Sequence, residues 1–142
     1  MWLPVDPVDA ATSRQLVAGS HTGRRYLLQT FLDQQVRWFP EGALAELPDI
    51  DADPGRFRIL RWALQPGDTV FVHMLTVRGA PGVADPHRCR VWSVRFLGED
   101  MVHRPRPGRT SPPFPVPDDE LRVGAPLGHR LFLVLWRRSG TL

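Results

Sequence analysis

The side chains best suited to metal or nucleophilic chemistry are five histidines, His21, His73, His87, His103 and His129, and a single thiol, Cys89. Two positions after the histidines stand Gly23, Leu75, Cys89, Pro105 and Leu131, so no His-x-Asp pair occurs. Neither CxxC nor HxxxH spacing occurs, and a soft site built from Cys89, His73 and His87 finds no support in spacing. His73 lies inside an apolar run, where a lone imidazole more often completes a hydrogen-bond network than binds metal. As a nucleophile Cys89 needs a positioned base and an orienting group, and its flanking arginines, Arg88 and Arg90, supply neither. The expectation is a small buried thiol. Asp49, Asp51 and Asp53 alternate like a calcium loop but lack the glycine and terminal glutamate such a loop needs, which reads as a solvated acidic segment.

These groups are carried by strands and turn signals more than by helices. Arg58, Leu60, Trp62 and Leu64 alternate with Ile59, Arg61 and Ala63, the period of a half-buried strand, and Pro66-Gly67-Asp68 ends it with turn chemistry. A second strand is predicted over Thr69 to Leu75, stopped by Gly79-Ala80-Pro81-Gly82, and a third over Arg88 to Phe96. On that third strand Cys89, Val91, Ser93 and Arg95 share one face, which makes Arg95 its inward-facing charge. A fourth strand is expected over His129 to Trp136, whose LFLVLW run implies burial on both faces. Trp62, Trp92 and Trp136 are expected to pack in the core. Earlier, Trp2 to Val5 and Gln15 to Ala18 read as short strands, Tyr26 to Phe31 as a strand or one helical turn, and residues 41–55 as a surface loop. Six of the fourteen residues from Arg104 to Pro117 are proline, so that segment must run extended over the surface or a pocket mouth. The sum is an all-β sandwich or barrel.

Composition narrows the function classes. A chain of 142 residues with 42% hydrophobic residues suits one domain, spanning 1–142, with a C-terminal segment at 118–142. The longest apolar run, Leu131 to Trp136, is far below the ~20 residues of a membrane-spanning helix. No basic region followed by an apolar stretch opens the chain, so a cytoplasmic location is expected, with no membrane partner. All 18 basic residues are Arg, and Lys and Asn are both absent, which points to a GC-rich genome and, as a hypothesis, a bacterial source. These arginines alternate with acidic and apolar residues instead of clustering, so no nucleic-acid partner is expected.

The segments WLPVDPVD, VAGSH, LPDIDADPGRFRILRWALQPGD, FVHMLTVRGAPG, RCRVWSVRFLGED and RPGRTSPPFP follow one another over nearly the whole chain. Their order resembles the phytanoyl-CoA dioxygenase family, iron and 2-oxoglutarate oxygenases on a double-stranded β-helix of jelly-roll or cupin-like type. The resemblance implies an HxD pair and a distal His holding Fe(II), and an Arg whose fork binds the far carboxylate of 2-oxoglutarate. This chain departs from that pattern. The HxD pair would precede WLPVDP, the distal His position before GAPG is Arg78, and the 2-oxoglutarate Arg position is Cys89. Arg88 or Arg90 would replace that Arg only through a bulge, because a one-residue shift turns a strand side chain to the other face. His73, Ser93 and Arg95 are possible pocket residues, and Arg78 with Arg95 would make such a pocket cationic.

Three readings follow. The first is an incomplete β-helix lacking its N-terminal strands, a truncated homologue of a small-molecule hydroxylase, inactive alone and needing neither Fe(II) nor 2-oxoglutarate. Met1 standing directly before the first matching strand fits a displaced valine start codon. The second is a non-catalytic binding or partner subunit, forming a homo-oligomer or pairing its open sheet edges with a full-length homologue. The third is an active oxygenase with relocated ligands drawn from His73, His87 or His103.

Overall fold

The computed structural model describes residues 1–27, 44–53, 55–81, 89–105 and 120–136. The chain divides into two compact units, residues 1–96 and 97–142. Strand, turn and coil make up the described residues, with one 3-10 turn at Ser20–Thr22 and no α-helix. No helix among them is long and apolar enough to cross a membrane.

In the first unit, β1 (Trp2–Pro4) pairs antiparallel with β5 (Val91–Ser93), Leu3 opposite Trp92. The ladder continues in register beyond the strands, since the Val5 amide donates to the Arg90 carbonyl and the Val94 amide to that of Met1. On its other side Trp2 exchanges both backbone bonds with Val70, and Val8 does the same with Leu64. Between these bridges Pro4 brings no N–H to the ladder, and residues 65–68 of the opposite segment form a turn. The second sheet runs β3-β2-β4, all antiparallel, with β2 (Gln15–Val17) between β3 (Ile59–Leu60) and β4 (Arg78–Gly79).

The core of this unit is Trp2, Val8 and Leu64, with Val70 and Val91 packed against them. Leu16 and Val17, on opposite faces of β2, are also buried. The Pro66-Gly67-Asp68 turn lies between the Leu64 and Val70 bridges. It is closed by a 2.9 Å bond from the Asp68 amide to the Gln65 carbonyl and one of 2.7 Å from the Gln65 amide to Asp68 Oδ2. Gly67 there has φ of 102°, a conformation only glycine adopts without strain. Ser20 ties the second sheet together: its Oγ donates to the Val17 carbonyl at 2.7 Å and accepts the Val77 amide at 2.9 Å. That accounts for the serine of VAGSH.

In the second unit a Val102–Pro126 bridge and reciprocal bonds between His103 and the Gly124–Ala125 segment form the framework. Leu121 is its buried apolar residue among those described.

All-β architecture is therefore observed among the described residues, antiparallel apart from a single parallel bridge between Tyr26 and Ala45, in shorter strands than the periodicity implied. The segments 58–64 and 69–75 contribute two-residue ladders and single bridges, because a turn closed by the Thr76 amide on the His73 carbonyl breaks the second run. The expectation for His129 to Trp136 fails. Residues 129–132 form a turn, the Phe132 amide bonding the His129 carbonyl, and Leu133 and Trp136 are 83% and 75% exposed. A continuous apolar run becomes a central strand only if neighbours pair with it on both sides, and no described segment does. Trp92 and Trp62 are likewise exposed, at 63% and 44%, Trp92 because it stands on the face of β5 opposite Val91. Residues 106–119, most of the proline-rich stretch, lie outside the described residues.

Candidate functional site

Arg78 opens β4, directly opposite Leu16. Its guanidinium folds back over the preceding turn, where Nη1 donates to the carbonyls of Met74 at 3.2 Å and Thr76 at 3.5 Å. A guanidinium has no lone pair for a metal and keeps its charge, so this position does not fit a ferrous ion. His73 is exposed in the same turn. Its ring lies 5.3 Å from that of His21, and its Nδ1 accepts the Leu75 amide at 3.3 Å. The two imidazoles are neighbours, yet no group of three His, Cys, Asp or Glu among the described residues is arranged to share a metal ion.

Cys89 is exposed, where the sequence suggested a buried thiol: it precedes β5, and its side chain has no core to enter. Beside it Arg90 is committed to Asp6. Its Nε and Nη2 donate to the two carboxylate oxygens at 3.0 and 2.7 Å, and its backbone amide donates to Oδ2 at 2.8 Å. These bonds, with the Asp6 charge, raise the Arg90 pKa above the ordinary arginine value. The fork that 2-oxoglutarate would need is thus filled from within the chain. Arg88 and His87 lie outside the described residues. Ser93 stands opposite Trp2 across the β1–β5 pair and is exposed, as is Arg95 beyond the strand. Of the expected pocket residues, His73, Ser93 and Arg95, none shares a hydrogen bond with another.

What the fold does assemble is a group that motif reading overlooked. Arg14 precedes β2, half-buried, with its guanidinium carbon 5.4 Å from the centroid of the Trp2 ring. Burial, and then the nearby charge of Arg78, lower its pKa from the ordinary value. Arg14 and Leu16 line a narrow slot of about 10 Å³ together with Trp2, Ser13, Trp62 and Leu64, room for no more than a water. No spacing signal could reveal the Arg14–Arg78 relation, because it depends on the pairing register of β2 with β4. The opposite face of the sheet borders a larger apolar cavity of about 210 Å³, lined by Val17, Ser20, Tyr26, Ile50, Phe57 and Val77 among others.

No known family model matches the chain, and neither a curated protein nor a solved structure does.

Proposed function

We propose that this chain is a relative of the phytanoyl-CoA dioxygenases that does not carry out iron chemistry with its own residues and acts as a non-catalytic binding or partner subunit. The motif order over nearly the whole chain supports the family, and the antiparallel pairing of β1 with the distant β5 suits a jelly-roll-type β-helix. The observation that carries the functional half is the state of Arg78. Where the family places an iron-binding imidazole, this chain has a cation already hydrogen-bonded to two backbone carbonyls. Arg90 strengthens the reading, since its fork is closed on Asp6. As a partner, the chain offers β3 and β4, the outer strands of the three-stranded sheet among the described residues, as edges to which a homologous chain would add a strand.

The test is stoichiometric. The purified chain is expected to retain less than one tenth of an equivalent of ferrous iron after anaerobic loading and desalting, and to form no succinate from 2-oxoglutarate. One equivalent of iron with succinate formation would refute the proposal in favour of an oxygenase with relocated ligands. A full-length family member that gains no activity or stability on mixing, together with a monomeric chain at all concentrations, would remove the partner role.

A further inference from the structure

We propose that the paired guanidinium groups of Arg14 and Arg78 form a binding site for the phosphate group of a small molecule. The β2–β4 register places Leu16 opposite Arg78, which makes Arg14 the diagonal cross-strand neighbour of Arg78 on the same face. Diagonal neighbours stand about 7–8 Å apart, within reach of each other for long side chains. Two cations brought together in this way repel one another. A lone arginine over an apolar surface ordinarily extends its head into water. Arg14 instead holds its head half-buried against the Trp2 ring, within the electrostatic influence of Arg78. The loosened hold of Arg14 on its proton, caused first by burial and then by Arg78, has the same origin.

No carboxylate among the described residues relieves this arrangement. The Arg90–Asp6 and His129–Glu120 ion pairs lie elsewhere in the chain. Arg78 uses only Nη1, on the Met74 and Thr76 carbonyls, so its Nε and Nη2 remain as donors. Arg14 contributes a further fork. A bound anion would convert two like charges, one of them partly desolvated, into a neutralised cluster.

The number of donors selects the ligand class. One guanidinium fork saturates the two oxygens of a carboxylate, whereas a phosphate monoester presents three terminal oxygens and nearly two charges, enough for two forks. The narrow slot beneath Arg14 is too small for such a group. The phosphate therefore sits outside it, on the exposed side where Arg78 stands. This site does not depend on the family resemblance, and it stands or falls separately from iron binding.

The experiment is calorimetric titration of inorganic phosphate into the full chain at low ionic strength, with succinate as the dicarboxylate comparison. Uptake of one phosphate per chain, weakened at least tenfold by Arg14→Gln and by Arg78→Gln, is expected. Arg78→Lys keeps the charge but loses the fork, and should weaken binding several-fold. Arg61→Gln removes an exposed arginine from the side of its segment opposite Trp62 and should leave binding unchanged. If Arg14→Gln disturbs packing on Trp2, the exposed Arg78 variants decide the matter. The proposal is overturned by undetectable phosphate binding, by unchanged binding in either Arg78 variant, by an equal loss in Arg61→Gln, or by succinate binding as tightly as phosphate.

Discussion

Truncating Leu64 to alanine should damage the chain far more than the same change at Leu133. Leu64 is 7% exposed and packs with Trp2 and Val8, and its backbone exchanges two bonds with Val8 at 2.8 and 2.9 Å. Leu64→Ala withdraws about three methylene equivalents from the core, at about 0.8 kcal/mol each, or roughly 2.4 kcal/mol of transfer free energy. The residual cavity raises this to about 3–4 kcal/mol, since among the described residues the cluster around Leu64 is Trp2 and Val8 with Val70 and Val91 packed against them, few neighbours to close over the gap. With a urea dependence of about 1.5 kcal/mol per molar, the unfolding midpoint should fall by about 2 M. Leu133 is 83% exposed, and its truncation should stay within about 0.5 kcal/mol. Urea titrations followed by circular dichroism and tryptophan emission measure both. Equal midpoint shifts would refute the reasoning, because they would mean that the LFLVLW run is a buried strand after all.

Two further substitutions test the joints of the first unit. Ser20→Ala removes the hydroxyl that accepts the Val77 amide at 2.9 Å, and should cost about 1–3 kcal/mol while accelerating hydrogen exchange at Val77; unchanged exchange there would discount the bridge. Gly67→Ala forces a side chain onto a φ of 102° and should cost about 1–2 kcal/mol in thermal unfolding, whereas Gly79→Ala, with open space at its Cβ and no positive φ, should be far milder. Similar losses at the two glycines would show that the turn conformation is not the source of the effect.

Turn chemistry and alternation were legible in the sequence, and pairing was not. Pro66-Gly67-Asp68 announced its turn because proline fixes φ and glycine permits a positive one, and Val70 and Val72 face inward while Phe71 faces out, as alternation requires. The short strands at Trp2 and Gln15 were also readable. Leu131 to Trp136 misled, because hydrophobicity records what a segment could bury and says nothing about whether a partner strand exists to bury it. Trp92 misled because a strand period shows which residues share a face, while the core's position decides which face is inside, and Cys89, on the Val91 face, misled because the paired strand begins only at Val91. The Arg14–Arg78 pair was invisible because its cause is the register between β2 and β4, a long-range property.

The pairing of β1 with β5 also sets a clock. The Met1 amino group donates to the Val94 carbonyl across a separation of 93 positions, and the bonds between β1 and β5 are comparably distant in the chain. At a synthesis rate of about 5–20 residues per second, β1 leaves the ribosome roughly 5–20 s before its β5 partner exists. Early in that interval, before residues 64 and 70 exist, β1 lacks each of its described backbone partners, and the strand that anchors the core is exposed to any other chain with a free edge. The Val8–Leu64 and Trp2–Val70 bridges shorten the wait, because residues 64 and 70 emerge first and can hold β1 provisionally. The turn at Pro66–Asp68 lies between those two bridges and is closed by bonds local in sequence, so it can form as soon as it emerges and favours the chain's own sheet over a neighbour's edge.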